Sequence, residues 1–147
     1  MKRNLFFLLP LLVLVILVEA CSTKSDPITI PAPLGTFTGT GKLLVKKSGS
    51  STYDTVKKAS LVITLTTPNN FKVTGDTLTV HAGSKGLFSY NGSYIQFLDS
   101  TYKAGPQAKI HLVGVYQYIY DNTNLIMQRA NSVQDSVLRY DFKKTSN

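Results

Sequence analysis

Between Gly35 and Lys46 two kinds of residue alternate. Phe37, Gly39, Gly41, Leu43 and Val45 fall on one parity, and Thr36, Thr38, Thr40, Lys42, Leu44 and Lys46 on the other. Successive side chains of a strand point to opposite faces, so this pattern predicts a half-buried β-strand. Ser48-Gly49-Ser50-Ser51 is turn chemistry. A second strand is predicted over Tyr53–Thr66, with Ala59, Leu61, Ile63 and Leu65 on one face, and Pro68-Asn69-Asn70 ends it. Shorter runs follow. Residues 71–74 lead through Gly75-Asp76 into 77–81, and 87–90, 94–98, 125–129 and 136–143 also read as strands. Asn91-Gly92 is a strong hairpin turn. The longest of these later alternations is 109–120, where Ile110, Leu112, Gly114, Tyr116, Tyr118 and Tyr120 share a face. Residues 131–135 are too few to sustain a helix.

The expected fold is therefore all-β: an antiparallel barrel of eight or nine strands, or alternatively a β-sandwich. Gly39, Gly41 and Gly114 inside predicted strands suit the sharp coiling or bulging that barrel closure needs.

Ahead of this domain the pattern changes. Lys2-Arg3-Asn4 precedes an apolar run, 5–18, that contains Pro10, and Glu19-Ala20-Cys21 follows. Basic residues, an apolar stretch and a small residue at the cut are the parts of a secretory signal. A spanning helix needs about 20 apolar residues, more than this run supplies. Pro10 also removes a backbone donor from a permanent helix.

At Cys21 the chain resembles a bacterial lipoprotein precursor, whose lipobox ends in a small residue followed by cysteine. Val18 and Ala20 suit their positions, while Glu19 stands where a small or hydroxylated residue is usual. The resemblance implies that residues 1–20 are a lipoprotein signal peptide forming a signal helix. It implies a diacylglyceryl group on the Cys21 sulfur, cleavage before Cys21, and acylation of the new amine with a palmitate-like chain. It places the protein in the bacterial cell envelope, lipid-anchored, and Ser22 in place of Asp points to the outer membrane. The other readings are an ordinary signal peptide with a free Cys21, or an uncleaved anchor helix. Pro27, Pro31 and Pro33 make residues 21–34 a stiffened tether, leaving 35–147 as the barrel domain.

The 147-residue chain carries a net charge of +8. That length suits one domain once the signal is removed. Cleavage removes Lys2, Arg3 and Glu19, lowers the charge by one unit and leaves no glutamate. Cys21 is the only cysteine, so the domain has no disulfide and must stand on packing. Basic charge suits an anionic membrane surface or a nucleic acid. Here it is scattered in pairs, Lys46-Lys47, Lys57-Lys58 and Lys143-Lys144, which read as solvated sheet faces and protected edges. Nucleic acid is not an expected partner.

Candidate chemistry is sparse. There is no Gly-x-Ser-x-Gly elbow. His81 and His111 lack neighbouring ligands, and Asp76 near His81 reads as a turn residue. The aspartates stand singly, without a paired-carboxylate arrangement. No metal, cofactor or enzymatic activity is expected. The one concentrated feature is aromatic. Phe88, Tyr90, Phe97, Tyr116, Tyr118 and Tyr140 are the candidate lining of a ligand pocket, although core packing is the favoured reading of the same aromatic set.

From Gly35 to Lys143 the chain is similar to small bacterial lipocalin-like lipoproteins. Gly35-Thr36-Phe37 stands where that family opens with Gly-x-Trp, and residues 71–80 and 125–142 are like its middle and last hairpins. The resemblance implies that Arg139 or Arg129 packs over Phe37. The chain departs from the pattern in lacking the tryptophan and the helix after the barrel. The implied function is a membrane-anchored binding module for a small apolar ligand. The alternative is a structural, interaction or inhibitor lipoprotein with no pocket, binding an envelope protein partner through its sheet surface.

Overall fold

The computed structural model describes residues 31–146. Signal peptide 1–20, Cys21 and the tether as far as residue 30 lie outside the described residues. Eight strands follow one another: β1 (Gly35–Lys46), β2 (Tyr53–Thr66), β3 (Asn70–Gly75), β4 (Lys85–Tyr90), β5 (Tyr94–Asp99), β6 (Gly114–Tyr120), β7 (Asn124–Ala130) and β8 (Ser136–Ser146). Each pairs antiparallel with the next, and β8 returns to β1, closing the barrel. The fold is the expected antiparallel barrel, with eight strands, and is consistent with a lipocalin-like one. The described residues contain no helix.

The period-2 pattern positions the core. Phe37 from β1, Ala59, Leu61, Ile63 and Leu65 from β2, and Phe71 and Val73 from β3 are buried in one cluster. Phe88, Ile95, Phe97, Tyr116, Leu125, Met127, Tyr140 and Phe142 join it from the remaining strands. On β1 the threonines and Lys42 take the opposite parity and face water more. Apolar side chains thus point inward, the reverse of a membrane-spanning barrel.

The two ends differ. Gly35 and Ser146 lie at one end, with the short turns 67–69, 91–93 and 121–123. Pro33 is buried there and Leu34 packs against the core, so the last residues of the expected tether belong to the barrel. The far end carries the longer connections 47–52, 76–84, 100–113 and 131–135. Two of these are tied together. The Ala82 amide donates to the Ile110 carbonyl at 2.8 Å, and the Ile110 amide to the Val80 carbonyl at 3.0 Å. Between them they bury His81, Ser84 and Leu112.

Two predicted strand segments are not strands. Residues 77–80 form turns and His81 only an isolated bridge to Ile110. Gly75, at φ 99°, turns the chain away after β3, and the Thr79 hydroxyl donates to Asp76 Oδ1 at 3.2 Å. Leu78 consequently points to solvent, 85% exposed. Residues 109–113 keep the alternation of β6 but lie in the connecting loop, because Gly114 adopts φ 90° where the strand begins. The ladder irregularities fall at Thr36/Phe37 and Leu43/Leu44, not at the glycines.

Candidate functional site

Five of the six candidate aromatics converge inside the barrel. Phe88, Phe97, Tyr116, Tyr118 and Tyr140 are buried, while Tyr90 stays partly exposed at the rim, stacked on Phe88 at 6.1 Å. The rings meet mostly edge to face, the arrangement their quadrupoles favour. Phe97 meets Phe71 at 5.0 Å and Tyr116 at 6.0 Å, and Tyr116 meets Tyr140 at 5.7 Å. The Tyr118 hydroxyl reaches back to the Asn91 carbonyl at 2.6 Å. An eight-stranded barrel is just wide enough to be filled by side chains or to hold one small ligand. Here Phe37, Phe97, Tyr116 and Tyr140 occupy its interior with essentially no exposure.

A polar cluster lies within this core toward the loop end. His81 Nδ1 sits 2.6 Å from the Ala82 carbonyl, which only accepts, so that nitrogen carries the proton. Nε2 then accepts from the Tyr140 hydroxyl at 3.0 Å. The neighbouring Tyr116 hydroxyl is buried close to the Tyr140 hydroxyl and the Val113 carbonyl but makes no hydrogen bond of good geometry among the described residues. Arg129 faces inward from β7, its guanidinium 4.9 Å from the Tyr116 ring centre and Nη1 donating to the Val113 carbonyl. A Cβ at Gly114 would stand 2.5 Å from that Nη1, so the glycine makes room for the arginine.

This corrects the expected arginine contact. Arg129 caps Tyr116, and Phe37 meets Tyr120 edge-on at 5.8 Å. Arg139 faces outward, where its Nη2 pairs with Asp141 at 2.8 Å and Lys42 joins at 3.0 Å. Burial pushes the Asp141 carboxyl up, but the hydrogen bonds from Arg139 and Lys42 together hold it below 3.8. A second pair, His111 Nδ1 with Asp99 at 2.8 Å, has no sequence signal, since the two meet across the loop 100–113.

The two tyrosines give opposite expectations for the same substitution. Tyr140→Phe leaves His81 Nε2 without its donor and is expected to cost about 1–3 kcal/mol. Tyr116→Phe removes an unpartnered hydroxyl and is expected to be neutral or stabilising. Urea unfolding of both variants checks the contrast, and equal losses contradict it.

His81 also sets a pH response. Burial disfavours the imidazolium and lowers its pKa below 6.5, against the raising effect of the Ala82 carbonyl. Below pH 6.5 the unfolded chain takes up a proton that the folded chain resists, so stability falls as pH drops toward the lowered folded value. The aspartates act in a separate window. At Asp99 burial raises the pKa, but hydrogen bonds from Thr101 and His111 outweigh it, and its folded pKa, like that of Asp141, lies below 3.8. Their contribution is present above that pH and is lost as pH falls through the lowered values. In urea midpoints measured against pH, His81→Phe is expected to flatten the upper window and leave the lower one. An unchanged upper slope contradicts the assignment.

The outer surface is divided. On β8 and β1 it carries Arg139, Asp141, Lys143, Lys42 and Lys46. On β5, β6 and β7 the outward positions are Tyr94, Gln96, Leu98, Val115, Gln117, Ile119, Asn124, Ile126, Gln128 and Ala130, none of them charged. Leu98 and Ile119 are 58% and 70% exposed. Two open grooves of about 670 and 320 Å³ run over this wall, both lined by Tyr94, Gln117 and Gln128. None of the six candidate aromatics faces outward on the wall; Tyr118, turned inward, only borders the larger groove, as does Arg139. The signal that could have found the wall is the lack of charge at alternate positions of three successive strands in a strongly basic chain.

Among the described residues no group of three histidine, cysteine or acidic side chains could hold a metal ion. No family model, curated protein or solved structure matches the chain. The barrel fold is compatible with a binding module.

Proposed function

We propose that the chain is a lipid-anchored lipoprotein of the bacterial envelope, on the outer membrane, whose barrel is an interaction module. In this reading it holds an envelope component against the outer wall of β5–β7. The observation that carries the reading is the contrast between the barrel's two surfaces. The interior is occupied by mutually packed aromatic and aliphatic side chains, while the wall outside is uncharged, apolar in part and grooved. Large exposed apolar side chains gathered on one face are the mark of an interaction site. The anchor rests on the signal 1–20 and Cys21. Residues 31–34 join the barrel at the end that holds Gly35, the same end as the 91–93 turn that borders the larger groove.

The test is a photoreactive residue placed at Ile119, on the wall, or at Ser60, an exposed position of β2 across the barrel from β6, in the full chain expressed in its own cells. Discrete adducts from position 119 and none from 60 are expected. Adducts from neither position, or equally from both, overturn the reading.

A second reading, a small apolar ligand inside the barrel, is favoured by the unpartnered Tyr116 hydroxyl beside Tyr140 and Arg129. Native mass spectrometry of the full lipidated chain released from detergent separates the two. The outer-wall reading expects the mass of the chain and its acyl groups alone, and a stoichiometric extra small molecule supports the second.

A further inference from the structure

Four outward side chains of the wall stand side by side across four strands. Tyr94 is in register with Gln117, Gln117 with Gln128, and Gln128 with Arg139. Neighbouring strands lie about 4.8 Å apart, so the row crosses the strands at right angles for roughly 15 Å. Tyr94, Gln117 and Gln128 line both grooves, and Arg139 lines the larger one. Apolar positions flank the row, with Ile119 and Ile126 in register on one side and Ala130 and Val137 on the other.

The chemistry of this row is selective. Each glutamine amide offers two donors and an acceptor in one plane, and two such amides stand next to each other. That suits a ligand rich in groups that both donate and accept, such as hydroxyls or acetamides. The exposed Tyr94 ring offers a face for C–H groups. Arg139 at the β8 end shares Asp141 with Lys42, so that end keeps one net positive charge, while Tyr94, Gln117 and Gln128 are neutral. A polyanion or polycation finds no opposite charge along β5–β7. The flanking aliphatic rows match a chain that is polar at its edges and apolar on its faces. An extended β-linked sugar chain has that character, and its successive rings advance by about one strand spacing.

We propose that the Tyr94–Gln117–Gln128–Arg139 row binds an extended, uncharged polysaccharide strand laid across β5–β8. The proposal rests on the outer-wall reading and names the component that wall takes.

The experiment uses the full lipidated chain in detergent micelles, titrated by calorimetry with chitohexaose and cellohexaose, and with an alginate hexasaccharide as the charged comparison. Binding of a neutral hexasaccharide that changes little between low and high salt is expected, with none for alginate. Gln117→Ala/Gln128→Ala is expected to weaken that binding at least about tenfold, since each lost hydrogen bond contributes most of a factor of ten. Ser60→Ala, on β2 across the barrel, is expected to leave it unchanged. Urea unfolding of the double variant, with a midpoint near that of the parent, shows that the loss is local. Absence of binding by both neutral hexasaccharides overturns the proposal, as does binding that the double variant retains. If position 119 still gives adducts in cells while neither sugar binds, the outer-wall reading stands and the polysaccharide fails. If neither experiment succeeds, both fall.

Discussion

Gly39→Val is expected to prevent the barrel from closing. Gly39 lies mid-β1, in register with Leu61 on β2 and Phe142 on β8. A Cβ there would stand 2.0 Å from the Asp141 carbonyl oxygen and 2.7 Å from the Phe142 Cα. Both obstacles are backbone, so relief requires β8 to move away from β1. That seam is the closure of the sheet, and the Lys42–Asp141–Arg139 cluster lies on its outer side. Separation there exposes Phe142 and Tyr140 and leaves strand edges unpaired. Gly41 provides the control. Its added Cβ meets Tyr140 Cε1 at 2.9 Å and Leu61 Cδ1 at 3.0 Å, side-chain atoms that can shift. Gly41→Ala is therefore expected to cost about 1–3 kcal/mol, the usual range for overpacking. Gly39→Ala is expected to cost about 4 kcal/mol or more, a large share of a domain's typical 5–15 kcal/mol. Gly39→Val is expected to give no cooperative unfolding transition. Urea denaturation checks the series. A Gly39→Ala midpoint within error of the parent means that β1 and β8 sit further apart than described.

The same residues explain what the sequence could reveal. Alternation in β1 and β2 is long, and most buried residues are flanked by polar ones, Val62 between Leu61 and Ile63 being the exception, so the strands, their inward faces and the all-β class were legible. Gly39 was recognisable as an oddity within a strand, but its reason is the neighbour across the seam, which no single strand displays. Residues 77–80 failed for a different cause. Thr-Leu-Thr-Val has high strand propensity, yet Gly75 at positive φ redirects the chain and no partner strand is offered. Ile110 and Leu112 kept the right parity for β6, but tertiary contacts with His81 and Ser84 draw them into the loop closure instead.

The candidate site was legible only by half. Aromatic side chains at inward parity are visible in a strand pattern, and five of the six are buried inside the barrel. A buried aromatic can serve a core or a pocket with the same periodicity, so the pattern could not choose between them. The outer row was hidden because it exists only across strands. Tyr94, Gln117, Gln128 and Arg139 are unremarkable in sequence and become neighbours through the registers of three separate hairpins. Arg129 illustrates the same limit. The resemblance placed Arg129 or Arg139 over Phe37, whereas the room left by Gly114 lets Arg129 lie over Tyr116 instead.

Cys21→Ser is expected to abolish lipid labelling of the chain completely. The resemblance at Val18-Glu19-Ala20-Cys21 assigns one atom, the Cys21 sulfur, as the acceptor of the diacylglyceryl group. A thiolate is the stronger nucleophile and is accessible near neutral pH, whereas a serine hydroxyl is not ionised there. No other cysteine can substitute. Each buried methylene contributes about 0.8 kcal/mol, so two or three acyl chains fix the protein to a bilayer where one chain holds only marginally. Loss of the first acylation also blocks the cut that depends on it. The variant is then expected to keep residues 1–20 and run larger by that segment. Labelling cells with tagged palmitate and comparing parent and variant by label and apparent mass measures both consequences. Glu19→Ala, which restores the small residue usual at that position, is expected to speed processing without changing the final product. Label retained by Cys21→Ser, or absent from the parent, overturns the anchor. It leaves the wall on β5–β7 untouched as a binding surface, because the register that builds the wall owes nothing to the lipid.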